Sequence, residues 1–370
     1  QRLQSGRCGI DCQWQEASFP IMRRWLRSLS ISAVVLRSSG TAVDDASAGG
    51  DVRRLVVVPD AHGDPEALTS ALGLAGISVP RDAAAESDGG AHVLSLGDSV
   101  DRGPRAKGCY KILQDVNATR ILGNHDWLAI LGVDEKDDPS TPQDEHFFAQ
   151  YVTEEDLATF GGWANRREAF SRHGALGRSI REQFEIMALL PSRWARYNEL
   201  PGLDAAATVF MHGGITEQLA SEFGSVAAMA STGKDALRRS LEGDDNGLLS
   251  NLFNEVLQDR HLTFQPEKSG GCEELERTLQ LLGAARLIVG HTPQVSRRAG
   301  VKCGGRLILL DIAMSRWLMN LENPEQTAHP VALEMQYSGR TGEELLTSLR
   351  LLYPDGPVEL PPFDAAMHEL

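Results

Sequence analysis

HVLSLGDSVDRGP, residues 92–104, joins a short apolar run to a turn that is rich in charged groups. The run 92–98 has the composition of a buried strand, and the glycines and Pro104 around its end permit a tight strand-to-helix turn. Asp98, Asp101 and Arg102 all lie at this turn. Two carboxylates and a guanidinium where a buried strand stops indicate a site for chemistry.

The same alternation of strands and helices continues on both sides of this stretch. Helices are predicted for PEALTSALGLAG, ending at Gly76, for RAKGCYKILQDV, and for CEELERTLQLLG at 272–283. Strands are predicted at 54–59, 92–98, 119–124, 208–214, 286–291 and 306–311, with 331–338 as the last. Near-continuous apolar strands that alternate with helices predict an α/β architecture whose sheet is covered on both faces.

Composition divides the chain into three predicted parts. Residues 1–52 form a basic segment and a linker, residues 53–340 form the folded domain, and residues 341–370 are predicted to be a C-terminal helix and tail. Within the domain, a helical insert is predicted at about 145–198. Its segment WANRREAF could form a basic wall for a substrate, although helix packing with arginines at the solvent edge is its first predicted role.

The first 43 residues differ sharply in charge from the rest. They hold six arginines and two acids, whereas the whole chain has a formal net charge of −15. The Arg- and Ser-rich text from Met22 onward is typical of an organellar transit peptide, which would direct the protein to a chloroplast or mitochondrion. The alternatives are a disordered basic tail, or an over-extended start with Met22 as the true first residue, and then a cytoplasmic protein.

Overall composition restricts the class of protein. Apolar residues make up 42% of the 370 residues, and no window reaches the roughly 20 apolar residues of a membrane span, so a soluble protein is expected. The negative net charge argues against nucleic acid and anionic membranes as partners. The five cysteines are scattered and odd in number, which argues against a disulfide framework. They are Cys8, Cys12, Cys109, Cys272 and Cys303.

Polar side chains follow the predicted strands at the points where the strands end. In open α/β sheets ligands bind outside the carboxyl ends of the strands, so these residues should converge on one crevice. Aspartate, asparagine and histidine suit divalent first-row metals, and six of them exceed the needs of one open catalytic metal. Two ions sharing a carboxylate fit better. The six are Asp60, His62, Asp98, Asn124, His212 and His291.

The remaining polar groups of the turn have predicted roles beside these ligands. Asp98 would bridge the two metals, because it lies in the middle strand. Arg102 would bind phosphate oxygens bidentately. Asp101 would orient His125, so that this imidazole stays charged and protonates a leaving alkoxide.

In this order, the motifs DxHGD, GDxxDRG, GNHD, HGG and GHTP resemble those of the calcineurin-like metallophosphoesterases, and GDSVDRGP resembles the phosphoprotein phosphatase branch. FGGWANRREAFSRHGALG and LILLDIAMSRW are similar to the Shewanella-like protein phosphatases. The resemblance covers about residues 54–340. It implies a β-sandwich flanked by helices with an inserted helical layer, and two divalent ions of manganese, iron or zinc.

The resemblance also implies how the site residues divide. Asp60, His62 and Asp98 would hold one metal. The second metal would be held by Asp98, Asn124, His212 and His291. Arg102 and His125 would contact the phosphate, with Asp101 behind His125, and a metal-bound hydroxide would hydrolyse a phosphate monoester without a phosphoenzyme.

Three positions depart from the family pattern. Pro59 replaces a glycine, for which we expect a shifted turn with both metal-binding side chains kept. Asp126 replaces the usual glutamate, as in diadenosine tetraphosphatases. A second phosphate-binding arginine is missing from the segment NGLLSNLFNEV at 246–256, and its candidate substitutes are more readily read as surface or salt-bridge residues. These candidates are Arg238, Arg239, Arg260 and Arg316.

The leading hypothesis is a metal-dependent phosphatase acting on phosphoserine or phosphothreonine of proteins or peptides, with phosphotyrosine as a further substrate. The alternative is hydrolysis of dinucleoside polyphosphates or other small phosphate esters, motivated by Asp126. A third hypothesis, motivated by Pro59 and the missing arginine, is a non-catalytic module that binds phosphorylated proteins. The oligomeric state does not follow from the sequence.

Overall fold

Two β-sheets pack face to face in the computed structural model, which describes residues 53–79, 91–132, 151–190, 207–264, 270–318, 328–338 and 345–360. The strands are β1 (Arg53–Val58), β2 (His92–Ser95), β3 (Thr119–Ile121), β4 (Phe184–Glu185), β5 (Met187–Leu190), β6 (Thr208–Met211), β7 (Arg286–Val289), β8 (Gly300–Lys302), β9 (Leu307–Leu309), β10 (Ala332–Ser338), β11 (Leu345–Tyr353) and β12 (Gly356–Glu359).

Each sheet combines parallel strands at its centre with antiparallel strands at an edge. The seven-stranded sheet has the order β12-β11-β10-β1-β2-β3-β4, in which β1 to β4 are parallel. The five-stranded sheet has the order β5-β6-β7-β9-β8, in which β6, β7 and β9 are parallel. The carboxyl ends of the parallel strands therefore provide the loops that carry the polar motifs.

Helices connect the strands and cover the sheets. Asp64 caps the first helix by accepting a hydrogen bond from the Ala67 amide, and Gly283 ends the last one in a left-handed conformation. None of the helices in the described ranges is long and apolar enough to cross a membrane. The helices are α1 (Pro65–Leu74), α2 (Ala106–Asp115), α3 (Asn124–Leu131), α4 (Glu154–Phe160), α5 (Trp163–Phe170), α6 (Ala175–Gln183), α7 (Glu217–Phe223), α8 (Val226–Leu241), α9 (Asn251–Gln258), α10 (His261–Phe264) and α11 (Gly271–Leu282).

The five-stranded sheet is buried on both faces, which explains its continuous apolar runs. Phe210 and Ile288 pack into the core between the two sheets. Their neighbours Val209, Leu287 and Val289 pack into a second core with the helices. This alternation follows from the period of two along a strand. The predicted α/β sandwich flanked by helices is confirmed.

Two predicted helical regions are wrong in part. The C-terminal helix is replaced at residues 345–359 by the hairpin β11–β12, whose register pairs Tyr353 with Gly356. Strand 331–338 is consequently β10, an internal strand and not the last. The helical insert ends at Gln183, and β4 and β5 follow at residues 184–190. Residues 1–52, with the predicted targeting segment, lie outside the described residues.

A disulfide joins Cys272 to Cys303, although the cysteine pattern argued against a disulfide framework. Cys272 lies in the first turn of α11, and Cys303 follows the edge strand β8. The two are 31 residues apart in sequence, and β7 lies between them. The bond therefore fastens the five-stranded sheet to a covering helix.

We expect loss of this disulfide to lower the free energy of unfolding by about 3–4 kcal/mol, because it closes a loop of 31 residues in the unfolded chain. The comparison is urea denaturation of the wild type and of the double variant Cys272→Ser/Cys303→Ser, each with and without dithiothreitol. Reduction should shift the wild type to the stability of the double variant and leave that variant unchanged. A wild type insensitive to dithiothreitol would contradict the prediction.

Candidate active site

The predicted ligand residues lie in the loops that follow parallel strands. Asp60 and His62 follow β1, Asp98 follows β2, and Asn124 opens α3 after β3. His212 and His291 follow β6 and β7, and the interactions below bring all six residues into one buried crevice.

The backbone of these loops is held in an unusual conformation. Nine non-glycine residues in the described ranges have positive φ angles, and five of them are predicted site residues. Side chains of L-residues disfavour this region, and such strain concentrates at functional sites. The five are His62, Asp98, Asp101, Arg102 and His291.

Asp98 belongs to two groups of side chains with the spacing of metal ligands. One group is Asp98 with His62 and His125, and the other is Asp98 with His212 and His291. Oδ2 of Asp98 lies 3.6 Å from His62 Nε2, whereas Oδ1 lies 3.4 Å from His212 Nε2. The two oxygens thus point toward different groups, as a bridging carboxylate requires.

Asn124 lies between the two histidines of the second group. Its Oδ1 is 3.0 Å from His212 Nε2 and 3.0 Å from His291 Nδ1. The His125 amide donates to Asp98 Oδ1 at 2.9 Å. The GNHD turn therefore contributes both an amide oxygen and a backbone N–H to the crevice.

Backbone carbonyls orient two of the imidazoles. His212 Nδ1 donates to the Leu96 carbonyl at 2.8 Å, and His62 Nδ1 lies 3.3 Å from the Val100 carbonyl. A proton on Nδ1 leaves Nε2 as the free electron pair that faces Asp98. This is the usual arrangement behind histidines that bind metal.

The charges of the crevice favour an added cation. Burial acts to lower the pKa of His212, but Asp98 and Asp60 outweigh it and raise the pKa to about 9. Burial would raise the pKa of Asp98, yet His212 and His125 hold it well below its usual range. Burial also lowers the pKa of His62 and of His291, which keeps both imidazoles neutral and able to bind metal.

Asp60 lies outside both groups and has its own unsatisfied oxygen. Its Oδ2 accepts from the His291 amide at 2.9 Å, while its buried Oδ1 has no hydrogen-bond partner among the described residues. Burial and the neighbouring Asp311, a buried carboxylate after β9 that the sequence analysis missed, raise the pKa of Asp60. A Cβ on Gly290 would lie 2.2 Å from Asp60 Oδ1, so only glycine leaves room there. These donors fit a divalent cation.

Asp101 connects the crevice to the helical insert. Its Oδ2 accepts from His125 Nδ1 at 2.8 Å, as expected from the sequence. Its Oδ1 accepts from Arg166 Nη2 on α5, also at 2.8 Å. Arg166 is buried and does not lie at the solvent edge, where the sequence analysis expected the arginines of WANRREAF.

Residues 53–295 match the family model described as calcineurin-like phosphoesterase. The chain belongs to this family. The predicted family is confirmed, and with it the general class of a phosphoesterase hydrolase, whose members generally depend on two metal ions.

Individual relatives of this phosphoesterase are distant in sequence. An uncharacterized protein of Schizosaccharomyces pombe is 24% identical over 279 residues, which cover 70% of this chain and 72% of that protein. A cold-active protein-tyrosine phosphatase of a psychrophilic Shewanella species has a TM-score of 0.54 and 19% identity, over 83% of this chain and 80% of that chain. A serine/threonine phosphatase of Saccharomyces cerevisiae has a TM-score of 0.43 and 14% identity, over 76% and 72%. The Shewanella structure supports the fold.

Arg260 of the phosphoesterase lies at the crevice, contrary to its interpretation as a surface or salt-bridge residue. Nη2 donates to the His291 carbonyl at 3.3 Å. Burial lowers the pKa of Arg260, whereas Asp311, Asp98 and Asp60 act to raise it. The sequence comparison missed Arg260 because it stopped at residue 256, four positions short.

The other candidate arginines are placed elsewhere. Arg316 forms a two-pronged contact with Asp64, at 3.0 Å from each carboxylate oxygen. Arg239 pairs with Asp244 at 2.9 Å on the surface, and Arg238 is exposed on α8. The surface or salt-bridge interpretation therefore fits these three.

Arg102 packs against an aromatic residue of the insert. The guanidinium carbon lies 4.2 Å from the ring centroid of Tyr151, and the Arg102 amide donates to the Tyr151 carbonyl at 2.5 Å. The same ring lies 5.2 Å from the His125 ring. Tyr151, which the sequence analysis did not select, therefore borders both predicted phosphate contacts.

Asp126 supports the turns and faces away from the crevice. Its Oδ2 accepts from the amides of Asp98 and Gly123 at 2.9 and 3.0 Å. Its Oδ1 accepts from the Tyr110 hydroxyl at 2.6 Å and from the Ser99 amide at 3.3 Å. Burial raises the pKa of Asp126 to about 6. The aspartate that suggested a dinucleotide substrate thus holds the Asp98 turn.

Proposed function

We propose that this phosphoesterase is a metal-dependent protein phosphatase that acts on phosphoserine and phosphothreonine, and also on phosphotyrosine. The observation that carries the proposal is the shared carboxylate of Asp98, which lies between two buried ligand groups with His125 beside it. Arg102 and Arg260 add two positive groups at the same crevice. A phosphate monoester dianion matches this distribution of charge. Phosphotyrosine is included because the similar Shewanella protein is described as a protein-tyrosine phosphatase.

Two divalent cations held by Asp60, His62, Asp98, Asn124, His212 and His291 would supply a nucleophile from water and offset the charge of the phosphoryl group. Arg102 and Arg260 bind the phosphate oxygens and hold the group in line. His125 donates the proton of Nε2 to the oxygen of the leaving group as its bond to phosphorus breaks. Asp101 accepts from Nδ1 on the opposite side of the same ring.

We expect Arg260→Ala to lower kcat/KM for phosphopeptides by about 10–100-fold, the loss of one charge-assisted hydrogen bond to phosphate of roughly 1.5–3 kcal/mol. Arg239→Ala, a surface arginine in an exposed ion pair, is the matched control and should behave as wild type. Steady-state kinetics measure both. Equal activity of Arg260→Ala and the control would remove Arg260 from the site.

The competing functions have weaker support in the structure. Hydrolysis of dinucleoside polyphosphates rested on Asp126, whose carboxylate is occupied by backbone amides and Tyr110. The non-catalytic module rested on Pro59 and on a missing arginine. Asp60 and His62 still reach the crevice behind Pro59, and Arg260 offers the second arginine.

A substrate panel tests the proposal. Phosphate release is measured from phosphoserine, phosphothreonine and phosphotyrosine peptides and from a dinucleoside tetraphosphate, after chelation and after addition of Mn²⁺. We expect turnover of the peptides only with metal present. Cleavage of the dinucleotide with intact phosphopeptides would favour the alternative, and phosphopeptide binding without turnover, with metals bound, would favour the non-catalytic module.

A further inference from the structure

The helical insert contributes a buried arginine that contacts the predicted proton donor through one carboxylate. Arg166 on α5 is 2% exposed, and Asp101 is 0% exposed. Arg166 Nη2 and His125 Nδ1 each lie 2.8 Å from a different oxygen of Asp101. Both lone-pair faces of this carboxylate are thus engaged, one by α5 and the other by α3.

We propose that Arg166 is a positioning residue, which fixes the Asp101 carboxylate and thereby the orientation in which His125 protonates the leaving group. The proposal rests on the proposed function, since it requires His125 to be the proton donor. Arg166 itself touches neither the substrate nor the ligand groups.

Asp101 needs a partner of this kind because its backbone does not hold the side chain by packing alone. It lies in the left-handed region with a φ of 65°, in the short turn that also carries Asp98. A buried carboxylate without a cationic partner is unstable by several kcal/mol. A guanidinium remains charged at all relevant pH values, so it supports Asp101 both before and after His125 transfers its proton.

The surroundings of Arg166 strengthen this contact. The guanidinium carbon lies 5.0 Å from the ring centroid of Phe170, 5.9 Å from Trp163 and 6.0 Å from Phe160. Such apolar neighbours exclude water and raise the Coulomb attraction between Arg166 and Asp101. Asp156 is a second buried acid near Arg166. Burial raises its pKa to about 6, and Arg166 acts to lower it.

A purely structural role predicts a different result from a positioning role. If Arg166 only stabilises the insert, its loss should affect all substrates in proportion to the folded, metal-loaded enzyme. If it positions the proton donor, the loss should depend on how much protonation the leaving group needs. The oxygen of serine is a poor leaving group and needs the proton, whereas p-nitrophenolate leaves without one.

The experiment compares phosphoserine peptide with p-nitrophenyl phosphate for wild type, Arg166→Met, Arg166→Lys and the exposed neighbour variant Arg167→Met as a control. We expect Arg166→Met to lower kcat on the peptide by about 10–100-fold, with KM and bound metal unchanged and kcat on p-nitrophenyl phosphate reduced by less than about threefold. Arg166→Lys keeps the charge without the planar fork and should recover part of the loss.

An equal loss on both substrates, or no loss on either, overturns the proposal. If Arg166→Met does not fold, Arg166→Lys decides by the same comparison, and a rate change of equal size on both substrates overturns the proposal. His125→Asn separates this failure from a failure of the proposed function. A substrate-selective loss in His125→Asn but not in the Arg166 variants refutes only the role of Arg166, whereas no selective loss in His125→Asn refutes the proton donor itself.

Discussion

Asp98→Asn should reduce phosphatase activity by on the order of 10³-fold, since metal ions at such a centre contribute several kcal/mol of transition-state stabilisation. Asn offers one oxygen where Asp98 directs Oδ1 and Oδ2 toward two ligand groups. It also removes the negative charge that raises the pKa of His212 to about 9. Both effects weaken the hold on a shared pair of cations.

The measurement combines kcat/KM on a phosphopeptide with metal analysis of the purified protein. Asp355→Asn is the matched control, because Asp355 lies in an exposed ion pair on the β11–β12 turn, far from the crevice in sequence and contact. We expect the Asp98 variant to bind less metal and the control to match wild type. Near wild-type turnover by Asp98→Asn would exclude a bridging role for this carboxylate.

His125→Asn should lower kcat on phosphoserine peptides by roughly 10²–10⁴-fold, the usual contribution of a positioned general acid. The imidazole lies at the base of the crevice with Nδ1 on Asp101, so Asn loses both the proton and its orientation. Metal content should remain close to that of wild type, because the His125 amide, which donates to Asp98, is kept.

His173→Asn is the control for this change, since His173 is exposed in the insert. Rates on phosphoserine peptide and metal content are measured for both variants. Complete loss of bound metal in His125→Asn would indicate instead that His125 is a ligand in the group with His62 and Asp98. Unchanged turnover would show that the leaving group is protonated from elsewhere.

The convergence of the six candidate ligands could be predicted from the sequence because it depends on one rule. Parallel strands place their following loops at a common edge, and the runs before Asp60, Asp98 and His291 are apolar throughout. The contact between Asp101 and His125 was equally accessible, since both are in motifs that adjoin neighbouring strands.

The features that were missed depend on contacts between distant segments. Arg166 reaches Asp101 across 65 residues, and nothing in the helical text of α5 distinguishes it from Arg167. Arg260 lies beyond the end of the segment that was compared. The hairpin β11–β12 had a local signal, because Pro354, Asp355 and Gly356 are favoured turn residues between two strands. The leucines around that turn suit a helix as well as a strand.

The left-handed turns of the crevice carry a consequence for transplanting this chemistry. Five site residues in that conformation together oppose folding by roughly 5–10 kcal/mol, which is comparable with the net stability of a whole domain. A short peptide or a loose surface loop carrying GDSVDRGP would relax into extended conformations and scatter its carboxylates. Only a scaffold with a double-layered interior of this size can keep such loops in their constrained form, so the motif and the sandwich must be transferred together.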